Sequence, residues 1–185
     1  SLPDSEHATE ITEQEFSERY QFFDIKWKVS QNPETGESTR LVSGISINYL
    51  RFLAILADLG FRRIDIDKGH YFIHVHDNII QEVDDIFMKS TFKAHLETMP
   101  EVINVQQAVL QRSMILNYMI GRQNTFFDRS IICHLPVCRT EDINEDTKDE
   151  AFFYYRNKCV KVTANEVTVM DYADLGNKLV WEDSI

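Results

Sequence analysis

The sequence predicts an α+β fold in which helices pack with small antiparallel β-hairpins and a C-terminal β-meander. Three observations lead to this class. Apolar and polar residues alternate near the N-terminus, an apolar pattern with helical spacing follows, and three β-rich runs close the chain. The length of 185 residues is enough to enclose a sizeable core, and a hydrophobic content of 43% is typical of globular proteins.

The first predicted hairpin begins with a strand over residues 22–30, where every second residue is apolar. A segment rich in turn residues follows, and residues 39–47 predict the returning strand. Residues 48–60 then have apolar side chains at helical spacing. Asn48 is a suitable N-cap for this helix, and Gly60 suits the position after its last turn.

The middle of the chain predicts a second hairpin followed by two helices. The hairpin covers residues 61–80 and turns at the segment DKG. The helices are predicted over 84–99 and over 101–120, the second starting after Pro100 and ending at Gly121.

The C-terminal part predicts a meander preceded by a less regular region. Residues 122–140 are ambiguous, and one interpretation is a short helix that Pro136 stops. An acidic loop follows. The runs AFFYYRN, KCVKVTA and EVTVMDY then predict three antiparallel strands separated by short breaks.

The net charge of −11 is concentrated in two segments. Residues 1–18 and 141–150 carry six acidic groups each, and the remainder has 18 acidic and 18 basic groups. Composition therefore predicts an acidic flexible N-terminus over 1–18, an α+β body over 19–140, an acidic loop over 141–150 and a β-meander over 151–185, with 19–185 forming one domain. A near-neutral body permits nucleic-acid binding, but the net charge gives no argument for it.

Location is predicted from three absences in the sequence. No apolar run approaches the roughly 20 residues of a membrane helix, and the start SLPDSEHATE has no signal-peptide features. The three cysteines are too few and too irregularly spaced for a disulfide framework, so we expect a reducing cytoplasm. Because the chain has no initiator Met, we interpret it as a fragment of a longer protein or a processed product.

Three histidines in the segment HYFIHVHDN are the first candidate site. His70, His74 and His76 fall on one face of a predicted strand, and imidazoles at such spacing can bind Zn²⁺. A further ligand would have to come from His95, His134 or a carboxylate. The alternative is a structural strand whose core side carries Tyr71, Ile73 and Val75, and we favour it because the sequence marks no fourth ligand and no general base.

Two aspartates in the preceding strand are the second candidate. Asp65 and Asp67 on one strand face, with a histidine on the next strand, resemble the metal-binding pair of archaeo-eukaryotic primases. Asp67 also abuts the predicted turn, where polar residues are common, and we favour that simpler interpretation. The chain has neither a P-loop nor a G-x-S-x-G motif, so nothing in it indicates an ATPase or a hydrolase.

Arginines interleaved with aromatic residues are the third candidate. Single-strand grooves use basic side chains for phosphates and aromatic rings for bases. The predicted DNA-binding set comprises Arg62, Arg63, Arg112, Arg122 and Arg129, with Tyr118, Phe126 and Phe127 nearby. The alternative is that the rings fill the core and the arginines are solvated, and it is favoured because the hydrophobic faces need these aromatics.

The C-terminal third resembles a segment of phage- and plasmid-type primase–helicases, especially those of Bacteroides-type mobile elements. The stretch TKDEAFFYYRNKCVKVTANEVTVMDYADLGNKLVWEDSI carries the resemblance: an acidic lead into an aromatic strand, a valine-rich return strand and a final DY-DL…VW-D-I pattern. The matching residues include Phe152 to Tyr155, Val160 to Thr163, Asp171, Tyr172, Leu175, Trp181 and Ile185. The resemblance spans residues 20–185.

The resemblance implies a module that lies between a primase–polymerase domain and a superfamily-3-like helicase domain in a bacterial cytoplasm. It implies no catalytic residue, no metal and no cofactor in this stretch, with ATP and Mg²⁺ confined to the missing helicase domain. The expected function is therefore a non-catalytic accessory module that orients the priming and helicase domains of the same chain and contacts single-stranded DNA. Two alternatives remain: a metal-dependent enzyme that uses the histidine or aspartate cluster, and a pure protein-interaction domain.

Overall fold

The computed structural model describes residues 11–185, which form five helices and twelve strands in small sheets, and this confirms the α+β class. The chain divides into two compact units. Unit 1 comprises the described residues up to Leu56 together with Ile86–His134. Unit 2 comprises Ala57–Asp85 and Leu135–Ile185.

The elements have the following bounds. The helices are α1 (Glu13–Arg19), α2 (Tyr49–Asp58), α3 (Asp85–Glu97), α4 (Arg112–Phe126) and α5 (Arg129–Ile132). The strands are β1 (Phe23–Gln31), β2 (Ser38–Ile47), β3 (Phe61–Ile66), β4 (Gly69–His76), β5 (Ile79–Glu82), β6 (Val102–Val105), β7 (Ala108–Gln111), β8 (Val137–Cys138), β9 (Glu150–Tyr155), β10 (Lys158–Thr163), β11 (Val167–Met170) and β12 (Val180–Trp181). Short 3₁₀ helices cover Thr140–Asp142, Tyr172–Leu175 and Glu182–Ser184.

The first hairpin of unit 1 is a two-stranded antiparallel ribbon formed by β1 and β2, as predicted. Its register runs from Phe23 opposite Ile47 to Gln31 opposite Ser38, with a β-bulge after Lys26. Phe23 is fully buried, but residues 28–41 are all exposed. The predicted half-buried pattern therefore holds only near the base of the ribbon, and no core of the described residues lies behind either face of the distal half.

The core of unit 1 is built from phenylalanines that the helices bring together. The ring centroid of Phe52 in α2 lies 5.4 Å from that of Phe92 in α3, 5.1 Å from Phe126 at the end of α4 and 5.0 Å from Phe127. All three contacts are edge-to-face, the arrangement that aromatic quadrupoles favour. Asn48 caps α2 as predicted, because its Oδ1 accepts the Arg51 N–H at 3.2 Å.

The predicted helix over 101–120 is correct only from Arg112 onward. Its first half forms the β6–β7 hairpin, in which Ile103, Val105, Ala108 and Leu110 are buried in alternation with exposed residues. Gln106 and Gln107 make the turn with φ of 51° and 66°. Helix α4 then starts at Arg112 and runs through Gly121 to Phe126, since an exposed glycine within a helix is tolerated.

The predicted flexible N-terminus also needs correction where the structure describes it. Residues 13–18 are helical: Thr12 caps α1 by accepting the Glu15 N–H at 3.1 Å, and Phe16 is fully buried. Residues 1–10 of the predicted segment lie outside the described residues.

Unit 2 contains a five-stranded sheet with the order β12-β5-β4-β3-β8. The predicted 61–80 hairpin forms and continues into a third strand, β5, through a turn at Asp77 and Asn78 with φ of 48° and 66°. The edge strands β8 and β12 are two residues long and pair in parallel with β3 and β5. One core cluster of this unit comprises Ile64, Ile73, Ile80 and Cys138.

The second sheet of unit 2 is the predicted C-terminal meander, with the order β11-β10-β9 and antiparallel pairing throughout. The acidic segment 141–150 starts in a 3₁₀ helix and ends in β9. The boundaries of the two compact units differ from those of the predicted body, acidic loop and meander. Cooperative folding of 19–185 as one domain stays a prediction.

Candidate nucleic-acid interface

The three histidines of β4 occupy three different environments. His74 donates its Nε2–H to the Leu59 carbonyl oxygen at 2.9 Å, and its ring lies 5.0 Å from that of Phe61. The imidazole of His76 is exposed and lies 3.2 Å from the Asp77 carboxylate. The Nε2 of His70 is buried and has no hydrogen-bond partner among residues 11–185.

The predicted core side of β4 is correct only in part. Ile73 is fully buried and Val75 packs on the same cluster, but Tyr71 is 41% exposed. Phe72, on the side assigned to the histidines, is buried. Strand β4 therefore packs on both faces near its centre, and each histidine takes a place set by that packing.

The geometry gives the two metal hypotheses no support within the described part of the chain. Residues 11–185 contain no group of three or more His, Cys, Asp or Glu side chains that could hold a metal ion. Asp65 forms an ion pair with Arg63, whose Nε lies 2.8 Å from its Oδ1, and Asp67 is exposed beside the turn.

The three free cysteines differ in burial, and this leads to a prediction on alkylation. Burial raises the pKa of the Cys138 and Cys159 thiols, so both remain protonated at neutral pH. Cys133 is partly exposed. We expect iodoacetamide to modify Cys133 first at pH 7.5, and Cys138 and Cys159 only after unfolding, as read by peptide mass spectrometry. Modification of Cys159 before Cys133 in the folded protein would contradict this burial pattern.

Three of the five predicted DNA-binding arginines hold backbone or carboxylate groups of the protein itself. Arg62 donates to the carbonyl oxygens of Ala57 at 2.7 Å and Phe61 at 2.8 Å. Arg112 donates to the Met99 carbonyl oxygen at 3.0 Å, which ties the start of α4 to the chain after α3. Arg63 is the partner of Asp65. The structure therefore gives these three arginines structural partners.

The other two predicted arginines, Arg122 and Arg129, are exposed in unit 1. The Arg122 guanidinium lies 5.3 Å from the centroid of the Tyr118 ring. The Tyr118 hydroxyl oxygen accepts the Ile47 N–H at 2.8 Å, at the base of the ribbon. Hydrogen bonds from Ser130 lower the pKa of the Asp128 carboxyl group, which keeps an anion beside Arg129.

The aromatic residues predicted near these arginines also fall into two groups, one buried in the core and one in contact with an exposed arginine. Phe126 and Phe127 are 1% and 4% exposed, so their rings belong to the core of unit 1. Tyr118 is the member of the set that contacts both an exposed arginine and the ribbon. This outcome matches the alternative in which the rings fill hydrophobic faces.

The ribbon brings together a group that the sequence prediction missed. The Arg40 guanidinium lies 4.1 Å from the centroid of the Trp27 ring, because Arg40 pairs with Val29 and is a diagonal neighbour of Trp27 on the same face. Lys26 and Lys28 are exposed on the opposite face. The sequence indicates this contact only once the position of the turn is known, because the turn sets the hairpin register that brings Arg40 beside Trp27.

The two units differ strongly in charge. The described residues of unit 1 carry ten basic and nine acidic groups, a formal net charge of +1. Unit 2 carries nine basic and eighteen acidic groups, a formal net charge of −9. Because an acidic surface repels the phosphate backbone, unit 1 is the better candidate for nucleic-acid contact.

Comparisons with protein-family models, with curated proteins and with solved structures found no significant match. Among residues 11–185, no helix is both long enough and apolar enough to cross a bilayer.

Proposed function

We propose that this chain is a non-catalytic accessory module of a mobile-element DNA primase–helicase. In this role it orients the priming and helicase domains of the same chain, and it contacts single-stranded DNA through the β1–β2 ribbon and the exposed arginines of α4 and α5. The sequence resemblance supports the primase–helicase context. The difference in net charge between the two units supports placing the DNA contact on unit 1.

The observation that carries the DNA contact is the Trp27–Arg40 pair on the exposed ribbon. A guanidinium plane that lies on an indole ring offers a base a flat surface and offers a phosphate a charge. Lys26 and Lys28 add charge on the other face of the same strand. Arg122 extends the basic surface at the ribbon base through its contact with Tyr118. We call Lys26, Trp27, Lys28, Arg40, Arg122 and Arg129 the basic ribbon surface; Trp27 is partly buried and the five basic residues are exposed.

Charge removal on this surface tests the proposal. We expect the triple variant Arg40→Gln, Arg122→Gln and Arg129→Gln to bind a fluorescent oligothymidylate more weakly than the unchanged chain at low salt. Each phosphate contact on a single strand releases about 0.7 counterions, so the loss of three contacts should reduce the steepness of the negative slope of log K against log salt by about two units. Fluorescence anisotropy at several salt concentrations measures both quantities.

The matched control removes three exposed cations from unit 2. Lys68→Gln, Lys148→Gln and Arg156→Gln change the net charge by the same amount, and none of these three side chains belongs to the basic ribbon surface. The control should leave the salt slope unchanged. Equal weakening by both triple variants would mean that only net charge matters, and negligible binding by the unchanged chain would refute the DNA contact.

A pure protein-interaction domain is the second candidate, and one observation favours it. The C-terminal sheet exposes an apolar face, with Phe153 at 54% and Val169 at 66% exposure. Exposed apolar patches of this kind mark contact sites for other proteins. A metal-dependent enzyme that uses His70, His74 and His76, or Asp65 and Asp67, has no comparable observation in its favour, and elemental analysis of purified protein would test it.

A further inference from the structure

One face of the C-terminal sheet is apolar and open. The register places Phe153 opposite Val160 and Val160 opposite Val169, so the three side chains form a row across β9, β10 and β11. Val162 and Val167 form the next row. The side chains of this face other than Lys158 at one end are apolar, with exposures of 54% for Phe153, 56% for Tyr155 and 66% for each of Val167 and Val169.

The opposite face of the same sheet is already covered. Tyr154, Cys159 and Met170 pack with Tyr172, Leu175 and Val180, and Cys159 is fully buried. Burial there raises the pKa of the Tyr154 and Tyr172 hydroxyl groups, as expected for a packed face. The sheet thus uses one face for its own core and leaves the other without a partner among residues 11–185.

Strand β11 also lies at an unprotected edge of this sheet. The Thr163 N–H donates to the Glu166 carbonyl at 2.9 Å, so hydrogen-bonded pairs continue at Lys161–Thr168 and Cys159–Met170. The backbone groups of Val167 and Val169 therefore point away from β10. Within residues 11–185, no other element forms a backbone hydrogen bond with them.

Soluble proteins usually protect such an edge with lysine, proline, a bulge or a covering loop. Strand β11 reads Val-Thr-Val-Met and has none of these features. Charges occur only at its ends, where Glu166 precedes the strand and Asp171 follows it, both exposed; the Asp171 carboxylate is paired with Lys158. An incoming strand would meet free hydrogen-bonding groups, an apolar face beside them, the Glu166 carboxylate at one end and the Lys158–Asp171 ion pair at the other.

We propose that β11 accepts an extended segment of a partner protein, added as a fourth strand whose apolar residues extend the open face and whose flanking residues are basic. Such strand addition gains affinity from backbone hydrogen bonds and specificity from alternate side chains. The partner's basic flanks complement Glu166 and the net charge of −9 on unit 2. This docking site goes beyond DNA contact and does not depend on it.

A second copy of this chain fits the site less well. Two β11 strands could pair edge to edge, but this arrangement would bring together two units of net charge −9, with Glu166 and Asp171 at the ends of both strands. The charge argument therefore favours a basic partner over self-association.

A peptide titration of the full chain tests the proposal. The probe is a labelled nine-residue peptide in which alternating valine and threonine are flanked by two lysines at each end. We expect saturable binding, and slower hydrogen exchange at the Val167 and Val169 amides in the complex, because these N–H groups would donate to the added strand. The same peptide with proline at its centre should bind about tenfold more weakly, since it lacks one central donor.

Two protein variants separate edge pairing from general attraction. Val169→Pro removes an N–H that faces away from β10, so the ladder with β10 remains and peptide affinity should fall about tenfold. If that variant proves unstable to urea, Val167→Thr with Val169→Thr keeps the backbone and the volume while making the face polar, and should also weaken binding.

Three results would overturn the proposal. The first is no saturable binding of the lysine-flanked peptide at about 1 mM, the weakest affinity of interest. The second is equal binding of a glutamate-flanked peptide, which would remove the charge argument. The third is dimerisation of the unchanged chain in sedimentation that Val169→Pro abolishes, which would assign the edge to a second copy. Because the probe contains no DNA, the peptide titration can be interpreted even if the basic ribbon surface fails to bind DNA.

Discussion

Replacing Phe52 with alanine is expected to lower the free energy of unfolding by about 3–5 kcal/mol. Phe52 is fully buried, and its ring makes edge-to-face contacts with Phe92, Phe126 and Phe127 within 5.4 Å. The substitution removes all three contacts and leaves a cavity between α2, α3 and the end of α4. Since small proteins are stable by only about 5–15 kcal/mol, the loss is a large part of the total. Urea unfolding followed by far-UV circular dichroism measures it.

Phe52→Leu is the graded control for this prediction. Leucine keeps most of the volume but not the aromatic contacts, so the loss should be roughly 1–2 kcal/mol. Val29→Ala is the surface control, because Val29 is 69% exposed on the ribbon, and its effect should lie within roughly 0.5 kcal/mol. A loss below about 1 kcal/mol for Phe52→Ala would contradict the aromatic core of unit 1.

Gly60→Ala should destabilise unit 2 by about 2–5 kcal/mol, combining backbone strain with a steric conflict. Gly60 has φ of +97°, which side chains rarely adopt, and an added Cβ would lie 2.4 Å from the Val75 carbonyl oxygen. That oxygen belongs to β4, whose Val75 N–H also donates to the Gly60 carbonyl at 2.8 Å. The clash is with backbone, so a side-chain rotation cannot relieve it. The variant's thermal and urea midpoints give the measurement.

Gly121→Ala is the matched control, and its expected effect has the opposite sign. Gly121 lies within α4, and nothing lies within 4 Å of an added Cβ. Alanine there should stabilise the protein by roughly 0.5–1 kcal/mol, because it reduces the entropy of the unfolded chain and favours helix. If both glycine substitutions left the free energy of unfolding unchanged, this result would contradict the close approach of Gly60 to β4.

The sequence was a good guide where local chemistry alone determines an element. The β1–β2 ribbon, the β3–β4 hairpin and the C-terminal meander alternate clearly and have recognisable turn residues between their strands. Helices α2 and α3 were predicted from their apolar spacing, and α2 from its Asn48 cap as well. The spacing did not identify every buried residue of α3, because Ile86 is 67% exposed while Met88 is buried.

Elements that depend on distant contacts could not be predicted. The β6–β7 turn uses Gln106 and Gln107 in a left-handed conformation that offers no glycine or asparagine signal, so the apolar spacing suggested a helix instead. The two-residue strands β8 and β12 exist because β3 and β5 provide parallel partners far away in sequence. No local pattern reports such a partner.

The candidate interface shows the same limit. Arginines can be identified in a sequence, but their hydrogen-bond partners cannot, and Arg62 and Arg112 turned out to donate to carbonyl oxygens of Ala57 and Met99. The Trp27–Arg40 contact required the register of the hairpin. Trp27 lies on the apolar side of a strand predicted to be half-buried, and it is only partly buried because the ribbon extends beyond the core.

Tryptophan fluorescence offers the most direct measurement of the central claim, that unit 1 contacts single-stranded DNA through its ribbon. The chain has two tryptophans, Trp27 in unit 1 and Trp181 in unit 2, so Trp181→Phe and Trp27→Phe each leave one reporter. On titration with oligothymidylate at low salt, the Trp181→Phe variant should show saturable quenching of Trp27 that added salt reverses. The Trp27→Phe variant should show little change in the emission of Trp181. Quenching of Trp181 with no change at Trp27, or no change at either, would contradict the proposed DNA contact.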